Sequence, residues 1–380
     1  MNVPRSETAE GDLRRAYIDA TVRPEVRALT RYAVSSAEGL VKLDAMENPY
    51  ELPQEIRDAL GATLARVPVN RYPDGAADAL KETLAASLAL RGDVKLIVGN
   101  GSDELIQIIT TAVAAPNAVV LAPQPSFVMY ERNAVLCHAR FSGVPLTATF
   151  DLDVEAMLRA ISRHRPALVW LPFPNNPTGN LFDVAAIERI VRAAPGLCAI
   201  DEAYYAYADA TFLSRVHDFP NLVVVRTVSK IGMAGLRLGY AAAHPAWIDE
   251  FEKVRPPYNV NSLTQAAVPV LLRHADVLSK QAAAIRSDRE RMSSALARIP
   301  GVRVFATQTN FVLARVPDAG AWFAALREAR ILVKNLDGWH PLLANCLRMT
   351  VGTPAENDAL IGVLAQQGQA AANSDPKERA

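Results

Sequence analysis

Apolar and polar positions alternate between two spacings along the middle of the chain. Apolar runs of strand length occur at residues 94–98, 118–122, 167–171, 197–200 and 222–225. Longer stretches with helical spacing separate these runs, for example at 104–115 and 184–194. Uninterrupted apolar strands alternating with helices are typical of parallel sheets that are covered on both faces. The pattern therefore predicts an α/β fold with a mostly parallel sheet between helices, and a smaller α+β domain after it.

Together with the flanking segments, this pattern divides the chain into four predicted units. These are an arm at 1–40 with a helical patch near 24–32, a large domain at 41–275, a small domain at 276–368 and a disordered tail at 369–380. The first residues of the large domain could pack with the small one. Helices are expected at 53–66, 76–90 and within 262–299, and further strands at 302–305, 311–315 and 346–351. The small polar residues of the tail favour disorder.

Composition excludes several classes of function. The 40 basic and 40 acidic residues give a net charge of zero, so nothing favours binding to nucleic acid or to an anionic membrane. No apolar run reaches the roughly 20 residues of a membrane span, and the first residues lack the order of a signal peptide. Three separated cysteines and six scattered histidines support neither disulfides nor a metal site, and predict a cytoplasmic protein.

One stretch after a predicted strand carries the first chemical signal. It reads Thr227-Val-Ser-Lys230-Ile-Gly-Met-Ala-Gly-Leu-Arg237. A lysine among small residues can form an imine with an aldehyde when desolvation and a nearby cation lower its pKa. Arg237, Ser229 and Thr227 could hold a phosphate. An aldehyde and a phosphate on one ring describe pyridoxal 5'-phosphate, whereas an isolated Ser-Lys pair would more often be a surface feature.

Three other predicted strand ends carry glycine, proline or amide groups. Gly101-Ser102-Asp103 opens a helix, where free amides favour a phosphate, although simple N-capping would use the same residues. Phe127 could stack on a flat ring or belong to the core. Asn176, in Asn176-Pro177-Thr178-Gly179, could bond a phenolic oxygen or simply form a β-turn.

Two charged residues in apolar surroundings complete the set. Asp201 ends a predicted buried strand, and a buried carboxylate needs a partner such as a pyridinium nitrogen, a helix start or a salt bridge. Tyr204 would reach the same side one turn later. Arg348 lies in an apolar strand near the C-terminus, as an anion clamp or as one half of a strand-edge salt bridge.

The order of these motifs resembles the fold type I pyridoxal-phosphate aminotransferases of class I/II over nearly the whole chain. The resemblance implies that the mostly parallel sheet of the large domain has seven strands. Within them the chain is most similar to the histidinol-phosphate aminotransferase family. The segments behind the narrower resemblance are Ala45-Met-Glu-Asn48-Pro49-Tyr50, Asn70-Arg-Tyr72-Pro73, Asp201-Glu-Ala-Tyr204, Ala234-Gly-Leu-Arg237 and Asn345-Cys-Leu-Arg348-Met-Thr-Val-Gly352.

The resemblance implies a role for each matching residue. Lys230 would bind the cofactor aldehyde and move the substrate proton, Asp201 would pair with the ring nitrogen, and Phe127 would stack on the ring. The remaining cofactor contacts would come from Ser102, Asp103, Asn176, Tyr204, Thr227, Ser229 and Arg237, with Tyr72 from the second subunit of a homodimer. The implied substrate contacts are Tyr32, Asn48, Tyr72, Asn176, Lys334 and Arg348.

Three departures from the family pattern affect these expectations. Phe127 stands where tyrosine is usual, the interval from Lys230 to Arg237 is one residue short, and Lys334 replaces an arginine that some members use for the substrate phosphate. The implied activity is transamination between histidinol phosphate and 2-oxoglutarate in histidine biosynthesis. The alternatives are an aminotransferase for aromatic or other amino acids, a decarboxylase of a phosphorylated amino acid, and a non-catalytic regulator that binds the same cofactor.

Overall fold

The computed structural model of the protein describes residues 7–31 and 35–374. Its α-helices are α1 (Glu7–Thr21), α2 (Pro24–Ala28), α3 (Gln54–Leu64), α4 (Asp78–Ser87), α5 (Ser102–Val113), α6 (Met129–Leu136), α7 (Val154–His164), α8 (Val184–Ala193), α9 (Pro245–Glu252), α10 (Ser262–Leu272), α11 (Ala275–Leu296), α12 (Ala319–Glu328) and α13 (Pro354–Ser374). Its strands are β1 (Val41–Lys42), β2 (Lys95–Gly99), β3 (Val119–Gln124), β4 (Arg140–Pro145), β5 (Leu168–Pro172), β6 (Leu197–Asp201), β7 (Leu222–Thr227), β8 (Gly239–Ala243), β9 (Arg303–Val304), β10 (Phe311–Arg315), β11 (Ile331–Leu332), β12 (Lys334–Asn335) and β13 (Cys346–Thr350).

Seven strands of the described chain form the large sheet, in the order β2-β8-β7-β6-β5-β3-β4. All neighbouring pairs are parallel except those of β8, which runs antiparallel to β2 and β7. The five predicted apolar runs correspond to β2, β3, β5, β6 and β7, so the predicted α/β class with its mostly parallel sheet is confirmed. The pattern missed β4, a partly exposed edge strand, and β8, whose Gly-Tyr-Ala-Ala-Ala sequence has weak strand preference.

The two faces of this sheet belong to different hydrophobic clusters. Leu168 and Trp170 of β5 pack in the cluster that includes residues of α5, α6 and α9. Val169 and Leu171 of the same strand pack in the opposite cluster, with residues of α7, α8 and α10. Successive strand side chains point to opposite faces, so a strand that is buried on both faces must be apolar throughout. The polar positions of the sheet are therefore concentrated at the strand ends.

A second, smaller sheet has the order β12-β13-β10-β9 and is antiparallel throughout. The hydrophobic cluster beside it contains residues of α11, α12 and α13. Strand β1 pairs with β11, so residues 41–42 join this part of the molecule, as the sequence allowed for the start of the large domain. The proposed boundary between residues 275 and 276 falls at the start of α11 and remains a prediction.

The two ends of the chain differ most from expectation. Residues 7–21 form α1, a fifteen-residue helix that the sequence pattern did not predict. Helix α13 continues to Ser374, so the expectation of disorder from residue 369 is wrong for residues 369–374. Alanine and glutamine, both good helix formers, extend that helix past the last buried turn. Across residues 7–31 and 35–374, none of the helices has the length and apolar character to cross a membrane.

Candidate active site

A cavity of about 260 Å³ lies at the carboxyl ends of β5, β6 and β7, beside the start of α5. Parallel strands collect their carboxyl ends at one edge, where open α/β sheets bind ligands. The cavity brings together the ten residues that the sequence assigned to the cofactor within one subunit. These are Ser102, Asp103, Phe127, Asn176, Asp201, Tyr204, Thr227, Ser229, Lys230 and Arg237.

Lys230 lies in a short 3-10 helix, Ser229–Ile231, directly after β7. Its Nζ donates a hydrogen bond to the carbonyl oxygen of Ala45 (3.1 Å), and Tyr207 donates its hydroxyl to the Lys230 carbonyl (2.6 Å). Loss of surrounding water, followed by the charge of Arg348, lowers the pKa of Lys230 to about 8. The sequence expectation that desolvation and a nearby cation act on this amine is confirmed. With that pKa, roughly a tenth of the amine is unprotonated at pH 7, far more than at its ordinary pKa of 10.5.

Asp201 ends β6 with only 6% of its surface exposed. One carboxylate oxygen accepts the hydroxyl proton of Tyr130 (2.8 Å) and the other accepts the backbone N–H of Ala203 (3.0 Å). Among the described residues, no salt bridge involves Asp201. Burial raises its pKa to about 6, against the opposing effect of the Tyr130 bond. The site thus presents a buried carboxylate with neutral partners, which suits a cationic ring nitrogen.

The opposite end of the cavity is suited to a phosphate. Helix α5 begins after Gly101, and no side chain caps its first N–H groups, so Ser102 and Asp103 are not the N-caps that were considered. Thr227 Oγ1 donates to Ser229 Oγ (2.9 Å), and Arg237 extends a guanidinium N–H toward the same hydroxyl (3.4 Å). Free helix amides, hydroxyls and a guanidinium together form an anion site.

The shorter interval between Lys230 and Arg237 is absorbed by a tight turn. A 3-10 helix, Ala234–Leu236, is followed by a left-handed φ of 51° at Arg237. Its guanidinium lies so close to Gly101 that a Cβ there would be 2.6 Å from one nitrogen. The side chain of Arg237 reaches the start of α5 from this turn, and the expectation that the turn is tighter than in relatives stays a prediction.

A second cavity, of about 150 Å³, adjoins the first, and the two share Met46, Phe127 and Asn176 as lining residues. Lys334 and Arg348 line the second cavity and are paired across β12 and β13. Burial and then the charge of Arg348 lower the pKa of Lys334, as two neighbouring cations require.

Arg348 lines the second cavity and bonds a residue of the wall that the two cavities share. Strand β13 lies between β10 and β12, so Arg348 is not on a strand edge as one interpretation required. Its guanidinium donates to Asn176 Oδ1 (2.5 Å) and to the carbonyl oxygen of Asp44 (3.0 Å). Asn176 therefore takes part in a side-chain contact between the large and small sheets, beyond the simple turn that its sequence also allowed.

Three predicted site residues are not brought into these cavities. Tyr72 is 82% exposed, with its ring stacked on Tyr258 at 4.6 Å between centroids. The Asn48 side chain bonds Gln281 and the backbone of Tyr50, and lies outside both cavities. Tyr32 falls outside the described residues.

Sequence reasoning missed Tyr130 as a site residue. It is fully buried, stacks on Trp170 (4.9 Å between centroids) and lines the first cavity beside Asp201. An aromatic residue one helical turn after Phe127 looks like a core residue in sequence. Only the bond to Asp201 distinguishes it, and that contact joins residues 71 positions apart.

The comparisons with known proteins agree with this site. Residues 38–364 match the family model for aminotransferase class I and II. The chain belongs to the class I and II aminotransferases and is an aminotransferase enzyme. Its likeness to one branch of that family is equally clear. It is 52% identical over 349 residues to histidinol-phosphate aminotransferase 1 of Ralstonia nicotianae, covering 90% of this chain and 93% of the relative.

Two further comparisons support the same branch and fold. A second relative, histidinol-phosphate aminotransferase of Chromobacterium violaceum, is 50% identical over 347 residues and is covered to 98% of its length. The crystal structure of histidinol-phosphate aminotransferase from Sinorhizobium meliloti in complex with pyridoxal-5'-phosphate superposes with a TM-score of 0.82. It is 24% identical and covers 93% of this chain and 98% of its own. The family expected from the sequence motifs is therefore confirmed.

Proposed function

We propose that the protein transfers an amino group between histidinol phosphate and 2-oxoglutarate, using pyridoxal 5'-phosphate, in histidine biosynthesis. Three curated relatives at 50–53% identity carry the name histidinol-phosphate aminotransferase. The structural support comes from two adjoining cavities that combine an aldehyde-reactive amine with a pair of cations. The proposed products are imidazole-acetol phosphate and glutamate, and the reaction is reversible in both halves.

The residues of the first cavity fit pyridoxal phosphate. When bound, this cofactor supplies an electron-withdrawing ring that stabilises negative charge at the substrate Cα. Lys230, with its lowered pKa, can bond the aldehyde carbon and carry the proton that leaves Cα. Asp201 would keep the ring nitrogen protonated, and the anion site formed by Ser229 and Arg237 would hold the phosphate.

The observation that carries the substrate assignment is the position of Arg348, which lines the second cavity, bonds Asn176 of the shared wall and acts on the charge of Lys230 in the first cavity. A substrate whose amine reaches Lys230 in the first cavity can place its anionic end near Arg348 and Lys334 in the adjoining one. Arg348 would bind the α-carboxylate of glutamate in one half-reaction and the phosphate of histidinol phosphate in the other. A phosphomonoester carries more negative charge than a carboxylate near neutral pH, so the second cation favours the phosphorylated substrate.

The direct test is an assay of the purified protein with glutamate and a panel of phosphorylated and unphosphorylated keto acceptors. We expect imidazole-acetol phosphate to have the highest kcat/KM. A preference for aromatic keto acids would instead favour the general aromatic aminotransferase. Release of carbon dioxide from a phosphorylated amino acid, without amino transfer, would favour the decarboxylase.

The two cations should affect the half-reactions differently. Replacing Lys334 with Ala should weaken histidinol phosphate roughly tenfold or more and glutamate much less, since a charge-assisted bond contributes about 1.5–3 kcal/mol. Replacing Arg348 with Ala should impair both half-reactions. Each half is followed separately by the absorbance change of the cofactor. Equal losses for both substrates in Lys334→Ala would exclude that lysine from phosphate recognition.

We also propose that the enzyme acts as a homodimer with shared active sites. Tyr72 and Tyr258 form an exposed aromatic pair, and Val69 nearby is 79% exposed. Exposed apolar side chains grouped in this way are typical of interaction surfaces. The expected contribution of Tyr72 to the partner's cofactor phosphate would explain why it lies outside the cavity of its own chain. A cytoplasmic location stays a prediction.

A further inference from the structure

The second cavity extends beyond the pair of cations that was assigned to the substrate anion. Phe141, Leu336, Trp339 and Leu343 line this outer part and provide apolar and aromatic surface. Trp339 is held beside Lys334, whose Nζ lies 4.9 Å from the ring centroid. A flat ring of moderate size fits such surroundings, because aromatic side chains stack on planar groups.

One carboxylate faces the same space. Within the described lining of this cavity, Glu131 is the only acidic residue, and no salt bridge among the described residues involves it. It lies in the first turn of α6, where a negative charge also stabilises the helix start. That effect would account for a carboxylate in this turn, but it makes no prediction about which substrate the cavity prefers.

The charge of Glu131 has opposite consequences for the two proposed substrates. The imidazole group of histidinol phosphate offers an N–H donor, and its ordinary pKa near 6.5 lets it take up a proton next to a carboxylate. The side chain of glutamate ends in a second carboxylate, which Glu131 would repel. With the amine at Lys230 and one anion at Arg348, as the proposed function has it, the remaining end of either substrate would enter this outer part of the second cavity.

We propose that Glu131 is a specificity residue that favours the imidazole-bearing substrate and disfavours glutamate. The inference rests on the proposed function, because it assumes these two substrates. In this arrangement Lys334 and Arg348 recognise the anion, and Glu131 recognises the ring. Discrimination by one attractive and one repulsive contact at the same group is a common way to achieve specificity.

The test is Glu131→Gln, which keeps the size of the side chain and removes its charge. Binding of each substrate is measured by single-turnover absorbance changes of the holoenzyme. Because Glu131 is exposed, we expect the variant to bind histidinol phosphate about twofold to fivefold more weakly, as loss of one exposed ion pair implies. Glutamate should bind as tightly as before or more tightly. Glu131→Lys should exaggerate both changes.

Two controls separate ring recognition from a structural defect. Glu82→Gln removes an exposed carboxylate of α4 that lines neither cavity, and should leave both substrates unaffected. An O-phosphorylated 2-aminopropanol has the amine and the phosphate but no ring, so Glu131→Gln should not weaken it.

The outcomes also separate this inference from the proposed function. Wild-type enzyme that does not react with histidinol phosphate overturns both. Wild-type activity with histidinol phosphate, together with equal weakening of both substrates in Glu131→Gln, overturns the role of Glu131 alone. Unchanged binding of histidinol phosphate in Glu131→Gln would likewise overturn the role of Glu131 alone. Weaker histidinol phosphate with unimpaired glutamate supports the inference.

Discussion

Lys230 and Asp201 show how burial shifts two pKa values toward the same working range. Water is excluded from both groups, and this lowers the pKa of the amine to about 8 and raises that of the carboxyl to about 6. Perturbed groups in one cavity are typical of active sites. The two residues lie at the ends of adjacent strands, β6 and β7, so the sheet itself sets their separation.

Replacing Lys230 with Ala should remove the visible absorption band that borohydride abolishes in the wild-type holoenzyme. Turnover should fall by several orders of magnitude, because one group provides both covalent attachment and proton transfer. Spectra and single-turnover rates provide the measurement. Lys280→Ala, at an exposed position on α11, is the matched control and should behave as wild type. Near-normal turnover in Lys230→Ala would contradict its assigned role.

Asp201 should impose a pH dependence on the cofactor-free protein. Its folded pKa of about 6 exceeds the ordinary value of 3.8, so the folded state binds the proton more tightly. The free energy of unfolding should therefore fall as the pH rises from about 4 to about 6, by something on the order of 3 kcal/mol from this group. Asp201→Asn should lack this contribution.

Denaturant unfolding of both proteins across that pH range measures the difference. Asp249→Asn, at an exposed carboxylate, should keep the wild-type pH dependence. Identical profiles for wild type and Asp201→Asn would show that the carboxylate does not take up a proton on folding. With cofactor bound, the same variant should hold the ring more weakly, since its counter-charge is lost.

Individual site residues could be predicted only where the local sequence alone defines their position in the fold. Asp201 directly follows one apolar run and Lys230 lies five residues after the end of the next, so their placement needs no knowledge of packing. Tyr130 and Glu131 are neighbours on α6, and neither was selected from sequence. Their roles depend on which helix face meets the cavity, which tertiary packing determines.

At the scale of elements, the closest constraint is the approach of β8 to the start of α5. A Cβ on Gly239 would lie 2.6 Å from the backbone carbon of Gly101 and from the backbone nitrogen of Ser102. Backbone atoms cannot move aside as a flexible side chain can. Gly239 also pairs with Thr227 of β7, the neighbouring strand. The contact therefore fixes the distance between the free amides of α5 and the hydroxyls of Thr227 and Ser229, the two parts of the anion site.

Gly239→Ala should therefore displace the start of α5. We expect the free energy of unfolding to fall by about 1–3 kcal/mol, the usual effect of overpacking. Cofactor binding should also become weaker. Denaturant titration and cofactor titration measure the two effects. Gly235→Ala is the control, because no atom lies within 4 Å of the added Cβ. Unchanged cofactor affinity in Gly239→Ala would mean that this contact does not position the anion site.

The sequence pattern identified elements according to how strongly they are buried. Strands β5, β6 and β7 are buried at every position and were predicted almost to the residue. Strand β12 has two residues, and its pairing of Lys334 with Arg348 depends on a register that no local pattern encodes. Helix α1 was missed because residues 13–21, the part whose burial is described, are exposed throughout and lack a buried stripe.

At the scale of the whole molecule, the proposed dimer can be tested through its shared site. Mixing Lys230→Ala chains with Tyr72→Ala chains should restore activity, because a hybrid dimer has one site with both residues intact. Random pairing would recover about a quarter of wild-type activity. Each variant alone is the control. Absence of recovery, with hybrids verified by mass spectrometry, would place Tyr72 in the site of its own chain or outside catalysis.

The wall between the two cavities also bears on how new substrate preferences could be obtained. Met46, Phe127 and Asn176 face both cavities, so directed evolution at these positions would alter cofactor retention and acceptor choice together. Of these two cavities, Trp339, Leu343 and Glu131 line only the second. A mutant library restricted to these three positions could select for acceptors with different side chains while cofactor binding is preserved.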